Sequence, residues 1–439
     1  MSTKMLADVV ESLIGASYLD GGVDRALTCI RTFLPEVEWH TLDTARGMLA
    51  AQKAQRRELP STLAPLETLL GRTFRNKTLA VEAMTHSSFG AAAVAGEACM
   101  ERLEFIGDAV LDNVVVAYLW GRDAAGILDH FDMHLLRAAC VNADLLGFLM
   151  MEWAYEEEAT VARTEDADAN ADPEINANTD ADAAEQPSLF RTTTRRVPVW
   201  KLMRHSSPRL GEAQTLAELN HAASRDAIVA HMRDGADYPW AALARLEIPK
   251  SFSDLFEAIL GAVWLDASAE DAENGASGDG DDIGGGGGGG AAMDACRRVA
   301  ERVGILPYLR RMVADGVVAA HPKNRLGELA SSMGREVIYE PERIRRKRRE
   351  GEGEGGDGDG GEGGDDEGGK AGTRCEWVCR VFLAGELFVE VDDGVNKEEV
   401  VTKAADVAFR KLAGENCENG PEGEGEGEVE GEAADFVMA

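Results

Sequence analysis

One pattern that occurs twice constrains this 439-residue chain more than any other feature. KMLADVVESLIGASYLDGG at residues 4–22 and KSFSDLFEAILGAVWLDAS at residues 250–268 align as K-x-x-x-D-x-x-E-x-x-x-G-A-x-x-L-D. Both copies space their apolar residues for a helix that buries one side. Self-similarity of this kind is an internal repeat, here of about half a domain.

Helical spacing continues around the copies. It runs through residues 5–34, from Leu66 to about Met151 with Gly71, Gly90 and Gly96 as breaks, and again through 199–265. RRVAERVGILPYLRRMV (297–313) predicts a closing helix, and no strand-like alternation interrupts 5–313, which therefore reads as all-α. The end of the chain differs. Leu326–Met333 predicts a short helix, REVIYE, CEWVCRVFLAG and ELFVEVDDG predict strands, and KEEVVTKAADVAFRKLA (397–413) predicts an amphipathic helix. The order α-β-β-β-α describes a small α+β domain, so the fold class is mainly α with one small mixed domain.

Charge points away from a nucleic-acid partner until it is located. The chain carries a formal −34, but residues 152–185, 266–282, 351–369 and 415–435 together hold −35. These stretches are rich in Gly, Ala, Asp and Glu and poor in large apolar residues, which predicts long disordered acidic inserts. The remainder is near neutral, so the global charge says little about partners. The sequence has no run of about 18 uncharged apolar residues that would span a membrane. Seven scattered cysteines argue against a disulfide framework and for an intracellular, reducing compartment, with cytoplasm and nucleus both open.

Chemistry concentrates in two acidic pairs. In ERLEFIGDAVLD (101–112), Glu104 and Asp108 stand at i and i+4 of a helix and share a face, while in SDLFEAILGA, Asp254 and Glu257 stand at i and i+3. A lone acidic pair at such spacing is ordinarily a solvated face. Two pairs brought together would instead make a cluster of four carboxylates whose mutual repulsion calls for cations. Hard oxygen ligands suit Mg²⁺ or Mn²⁺. Two such ions a few Å apart can activate water and stabilise the leaving oxygen of a phosphodiester.

ERLEFIGDAVLD is similar to the ribonuclease III signature nearly letter for letter, with THSS (85–88) ahead of it and KSFSDLFEAILGA behind it in the expected order. The resemblance implies a double-stranded-RNA endonuclease whose metal-binding catalytic set is Glu104, Asp108, Asp254 and Glu257. It also matches Lys250 to a lysine ahead of the third acid, where a cation favours ionised carboxylates; a solvent-exposed lysine is the equal alternative. Residues 4–22 then look like the end of a preceding domain of the same kind, with Asp8 and Glu11 matching its last two acids. Tandem domains of this sort followed by a double-stranded-RNA-binding fold resemble the C-terminal arrangement of Dicer-like enzymes. GGVDRALTCIRTFLPEVEW, MHLLRAACVNAD and GILPYLRRMVADGVVAAHPK resemble the fungal Dicer-like protein 2 group.

The resemblance sets these expectations. Residues 1–40 are a remnant of a first ribonuclease III domain and 41–65 a linker. Residues 66–314 form a complete ribonuclease III domain with inserts at about 152–190 and 268–292. Residues 320–414 form a double-stranded-RNA-binding-like domain with an insert at about 350–372, and 415–439 an acidic tail. Because the matched wording starts inside a domain, Met1 is expected to be an internal methionine of a longer reading frame. The intact domain is expected to act on double-stranded RNA in RNA silencing, pairing with a second copy as a homodimer or nicking one strand. The alternative is a catalytically incompetent RNA-binding or interaction fragment. The last domain is expected to read RNA poorly, because Lys397 and Lys403 of NKEEVVTKAAD have Glu398 and Glu399 beside them. The basic run 343–349 either compensates, serves as a nuclear signal, or is a block neutralised by the acidic stretch after it.

Overall fold

The computed structural model describes residues 2–41, 44–45, 47–48, 58–90, 98–123, 128–162, 190–273, 290–346 and 374–418. The chain divides into two compact units, Met1–Ala320 and His321–Ala439.

The first unit opens with α1, Thr3–Phe33, capped by Ser2, whose side chain accepts from the Met5 amide. Gly21 and Gly22 break its helical backbone, with Gly22 at φ 66°, and Ala26 is its one buried residue. A 3-10 turn, Ser61–Leu63, leads into α2 (Ala64–Leu70) and α3 (Lys77–Ala83), followed by α4 (Glu101–Asp123), α5 (His130–Cys140) and α6 (Ala143–Glu152). After a two-stranded ribbon come a 3-10 turn at Val199–Leu202, α7 (Pro208–Asp234), α8 (Trp240–Ala244), α9 (Ser251–Glu273), α10 (Ala291–Val303) and α11 (Ile305–Asp315). No single described helix is long and apolar enough to cross a membrane.

α9 is the axle of this unit. Phe252, Leu255, Phe256, Ala258, Ile259, Leu260, Ala262 and Val263 have no exposed surface, so the helix is apolar nearly all round and must be enclosed. α3, α4, α6 and α10 pack around it. Asp266, near its far end, is buried and accepts from the Arg75 amide at 3.1 Å, the Asn76 amide at 2.8 Å and Arg72 Nη2 at 2.9 Å. That carboxylate fixes the turn before α3, whose N-cap is Asn76.

The all-helical reading of 5–313 needs two corrections. β1, Ala154–Ala162, pairs antiparallel with β2, Phe190–Pro198, so the flanks of the acidic insert expected at 152–190 are strand. The register sets Glu156 opposite Arg196 and Glu157 opposite Arg195. Arg195 pairs with Glu157 across the ribbon at 3.1 Å, and charged and threonine side chains stand where an apolar stripe would, which is why hydrophobic periodicity does not reveal it. The single closing helix expected at 297–313 is two, α10 and α11, because Gly304 adopts φ 104° between them. The acidic insert expected at about 268–292 also narrows, since α9 runs to Glu273 and α10 starts at Ala291. Residues 163–189, 274–289, 347–373 and 419–439 lie outside the described residues.

The second unit follows the predicted order: α12 (Pro322–Ser332), β3 (Val337–Arg346), β4 (Arg374–Leu383), β5 (Glu386–Gly394) and α13 (Lys397–Glu418). The three strands form an antiparallel sheet in the order β3-β4-β5. Leu326 and Ala330 of α12, Cys379, Val381 and Leu383 of β4, and Val400, Ala404, Ala408 and Leu412 of α13 make its core. α13 runs through Glu418, five residues beyond its predicted end and into the stretch read as acidic tail.

Candidate active site

Two glycines bring the acidic pairs together. A Cβ added at Gly107 of α4 would lie 1.7 Å from the Glu257 carbonyl oxygen, and one at Gly261 of α9 would lie 2.2 Å from the Leu103 carbonyl oxygen. The two backbones therefore touch at positions where any side chain would part them. Glu104 lies one turn before Gly107, and Glu257 lies one turn before Gly261. At this crossing the carboxylate oxygens of Glu104, Asp254 and Glu257 come within 4.8 Å of one another. Asp108, the fourth predicted residue, is exposed on the next turn of α4 and stands outside this group of three. Its charge still reaches the group, as the response of Glu257 shows.

The group is electrostatically unsettled. Burial, then the neighbouring charges of Asp108, Asp254 and Glu104, push the Glu257 carboxyl up to about 8. Burial also raises Glu104, against hydrogen bonding from Lys250. Lys250 Nζ reaches Glu104 Oε1 at 3.1 Å and also bonds Asp254 Oδ1. Hydrogen bonds to Asp254 and then Glu104 raise the lysine, so it stays charged, although 72% of its side chain is exposed. Lys250 thus bridges the two helices. A set of hard carboxylate oxygens, partly buried and mutually repelling, fits a divalent cation with oxygen preference.

The surroundings hold the two helices in register. Arg102 makes a forked contact with buried Glu82 of α3, Nε to Oε1 at 2.9 Å and Nη2 to Oε2 at 3.1 Å. Arg137 of α5 makes a similar fork with Asp112, Nε to Oδ1 at 3.0 Å. THSS lies beside the cluster. Thr85 bridges to Arg204, the His86 amide donates to the Arg204 carbonyl at 3.0 Å, and His86 Nδ1 lies 2.9 Å from Ser88 Oγ. Burial, then repulsion from His205, lowers His86, while Glu101 and Asp254 pull it up.

Sequence reasoning reached the four acids and Lys250. It missed Gly107, Gly261, the Arg102–Glu82 fork and Asp266. A glycine inside a helix costs roughly 1 kcal/mol relative to alanine, so each of the two glycines was a signal of close packing. The two forks carry no such mark, because their partners lie on different elements.

With this geometry in place, the comparisons are specific. A model of the ribonuclease III domain matches residues 101–268, from the first residue of α4 into α9. Residues 101–268 belong to the ribonuclease III family. The ribonuclease III domain thus contains all four predicted acids, the ribbon and both glycines. The chain is 38% identical over 414 residues to Dicer-like protein 2 of Cryphonectria parasitica, covering 94% of this chain and 25% of that protein. It is 37% identical over 408 residues to Dicer-like protein 2 of Pyricularia oryzae, covering 92% and 24%. To the protein of that name in Neurospora crassa it is 32% identical over 426 residues, covering 92% and 25%. The chain spans about a quarter of the length of these relatives.

Proposed function

We infer that this chain is an endoribonuclease that hydrolyses phosphodiester bonds of double-stranded RNA, in the Dicer-like production of small RNAs for silencing. The observation that carries the reading is the carboxylate cluster of Glu104, Asp254 and Glu257 at the glycine crossing of a ribonuclease III domain. Glu104, Asp108, Asp254 and Glu257 would hold Mg²⁺ or Mn²⁺, in a two-ion arrangement that supplies Lewis-acid chemistry to a water and to the leaving oxygen. The protein's own part is to fix these oxygens. The glycine contact sets their separation, the two arginine forks hold α4, and Lys250 offsets part of the negative charge of the cluster.

Three further features support the wider reading. Phe105, Val116 and Trp120 are 82, 45 and 46% exposed and lie along one side of α4, an apolar stripe suited to a second copy of the domain. A homodimer through this stripe would present two clusters to one duplex. In α1, Gly15 matches Gly261 of the repeat but has nothing within 4 Å of an added Cβ. That open contact suits residues 1–40 as the end of a preceding ribonuclease III domain. The C-terminal unit then plays a minor role in RNA reading. Lys323 is paired with Glu398 at 2.7 Å, and Lys403 with Glu399 at 2.8 Å and Asp393 at 3.1 Å. A phosphate must displace a carboxylate to reach either lysine, which weakens binding. Of the basic run, Lys347, Arg348 and Arg349 lie outside the described residues.

The deciding experiment is cleavage of a long double-stranded RNA by the purified chain with Mg²⁺, beside Glu257→Ala. Metal-dependent cutting that disappears in the variant is expected. Folded wild-type protein that binds the RNA and never cuts it refutes the enzymatic reading and leaves an RNA-binding fragment.

A further inference from the structure

THSS (85–88) supplies no carboxylate, yet the fold pins it at the foot of α4. The Met100 amide donates to the Thr85 carbonyl at 2.9 Å, and the Met100 carbonyl accepts from the Glu104 amide at 2.8 Å. The motif is thereby tied to the backbone one helical turn before Glu104. His86 is held on both sides: its amide donates to the Arg204 carbonyl at 3.0 Å, and its carbonyl accepts from the Phe89 amide at 2.9 Å. Thr85 Oγ1 donates to the Val81 carbonyl at 2.6 Å and fixes the residue before it.

The imidazole of His86 is oriented as firmly as its backbone. The Ser88 amide donates to Nδ1 at 3.1 Å, and Ser88 Oγ lies 2.9 Å from the same nitrogen. That hydroxyl oxygen accepts from the Ser206 amide at 3.3 Å, which leaves its hydrogen for Nδ1. Nδ1 is therefore an acceptor. Burial and repulsion from His205 lower the ring below its ordinary 6.5, so at neutral pH it carries one proton, on Nε2. Nε2 faces away from the Ser88 loop. It has no partner among the described residues, and it is open to solvent, unlike His205 Nδ1, which is closed off. An N–H donor with a set direction thus stands ready beside the cluster, close enough for the charges of Glu101 and Asp254 to act on the ring.

Its neutrality decides what it can do. Lys250, which is charged, is captured by Glu104 and Asp254. A neutral imidazole is drawn far less by carboxylates and stays free to meet an acceptor from outside. Phosphate oxygens are the acceptors that a nucleic-acid backbone presents most densely, and the contacts that position a protein on a duplex go largely to them. We propose that His86 is a substrate-binding residue, whose Nε2–H donates to a non-bridging oxygen of the phosphate next to the scissile one on the strand being cut. The offset of one turn from Glu104 puts this donor at a neighbouring phosphate and not on the oxygens that cations would hold. The proposal rests on the endoribonuclease reading, in which the scissile phosphate lies at the carboxylates.

Two variants separate the two nitrogens of the ring. His86→Asn puts an amide oxygen where Nδ1 stands, which keeps the acceptor for Ser88 and removes the outward donor. His86→Gln carries its amide nitrogen to the place of Nε2 and keeps that donor. The full chain is read by melting temperature, by single-turnover cleavage of a labelled RNA duplex with Mg²⁺, and by fluorescence anisotropy of the same duplex in chelator. His86→Asn should melt like the parent and lose about ten- to a hundredfold in cleavage at subsaturating RNA, the loss expected for one hydrogen bond to a charged group. His86→Gln should keep most of the cleavage. A methylphosphonate walked along the cut strand should weaken binding by the parent most at the phosphate next to the scissile one, and His86→Asn should show no such loss there. This scan reads the contact even in protein that binds RNA and never cuts it, so failure of the enzymatic reading does not hide the result. His86→Asn that cuts and binds as the parent does overturns the proposal. So do cleavage losses that follow melting losses across both variants, an equal methylphosphonate penalty in parent and His86→Asn, or a footprint at a 2′-hydroxyl in a 2′-deoxy series. Folded parent that binds no duplex overturns both readings.

Discussion

Replacing Gly107 with alanine tests whether backbone contact between α4 and α9 builds the carboxylate cluster. The added Cβ would lie 1.7 Å from the Glu257 carbonyl oxygen, and real Cβ contacts are essentially never closer than 3.0 Å. The obstacle is backbone, so no side chain can swing aside. The two helices must part by roughly 1.3 Å at this point, the shortfall between those distances. Overpacking of this kind costs about 1–3 kcal/mol, occasionally more. For a unit of this size that is a fall of roughly 3–10 °C in melting temperature. The clashing oxygen belongs to Glu257 itself, so the displacement falls on the cluster. A misplacement of ~1 Å costs about a hundredfold in rate. Melting by circular dichroism and single-turnover cleavage of a labelled RNA duplex read the two effects. Gly121→Ala is the control, because it lies on the same helix with nothing within 4 Å of its added Cβ. It should change stability by no more than about 1 kcal/mol, in the favourable direction. If Gly107→Ala melts and cuts as Gly121→Ala does, the glycine contact does not position the acids.

Three further outcomes are expected. Burial would raise the Glu152 carboxyl, but hydrogen bonds from His221 and Arg225 outweigh it and hold the group at about 2 against an ordinary 4.5. A depressed acid stabilises above its unfolded value, so this contribution, at most about 3 kcal/mol before screening, should fade as pH falls from 4.5 towards 2. Glu152→Gln should flatten that acid arm in a melting-versus-pH series, and an unchanged arm would contradict the assignment. Lys250→Met should melt below the parent in chelator and regain much of the difference with Mg²⁺, since the lysine bridges Glu104 and Asp254 and a divalent cation held by the same oxygens would offset the same repulsion. An equal deficit in both conditions would show that the lysine serves packing alone. Asp266→Ala should cost roughly 3–5 kcal/mol in a urea titration, because it removes the buried acceptor of an Arg72 hydrogen bond and of two backbone amides. A loss below about 1 kcal/mol would mean that water replaces the carboxylate.

How much of this was legible in the sequence depends on what kind of contact each residue makes. Helices with an apolar side were legible because burial imposes a period, and so the α-β-β-β-α order of the second unit was read correctly. The four acids were legible because they stand in two motifs that resemble the ribonuclease III signature, and the structure gathers three of them with Asp108 one turn away. The ribbon was not legible, because its partners are paired by charge and separated by residues 163–189 rather than by a turn signal. The break between α10 and α11 rests on a single glycine at φ 104°, in a stretch whose apolar spacing runs on as if uninterrupted.

The repeat carries the sharpest lesson, because it shows the same letters in two environments. In α9, Lys250 bridges two acids, Gly261 meets the Leu103 backbone, Leu265 is 3% exposed and Asp266 gathers two amides and an arginine. In α1, an added Cβ at the matching Gly15 meets nothing within 4 Å among the described residues, Leu19 is 39% exposed, and Asp20 pairs with Arg25, both largely in solvent. Met5, Leu6, Val9 and Leu13 are each about half exposed along the same helix. Both copies are helical through the pattern, so the difference lies in the partner. The glycine of the pattern is therefore an instruction for contact with a second helix that carries a glycine of its own, as α4 carries Gly107. α1 keeps the instruction with its contact surface open. That is why the acids Asp8 and Glu11, placed like Asp254 and Glu257, form no carboxylate cluster among the described residues. A cluster of this kind is a property of two helices in contact and never of one.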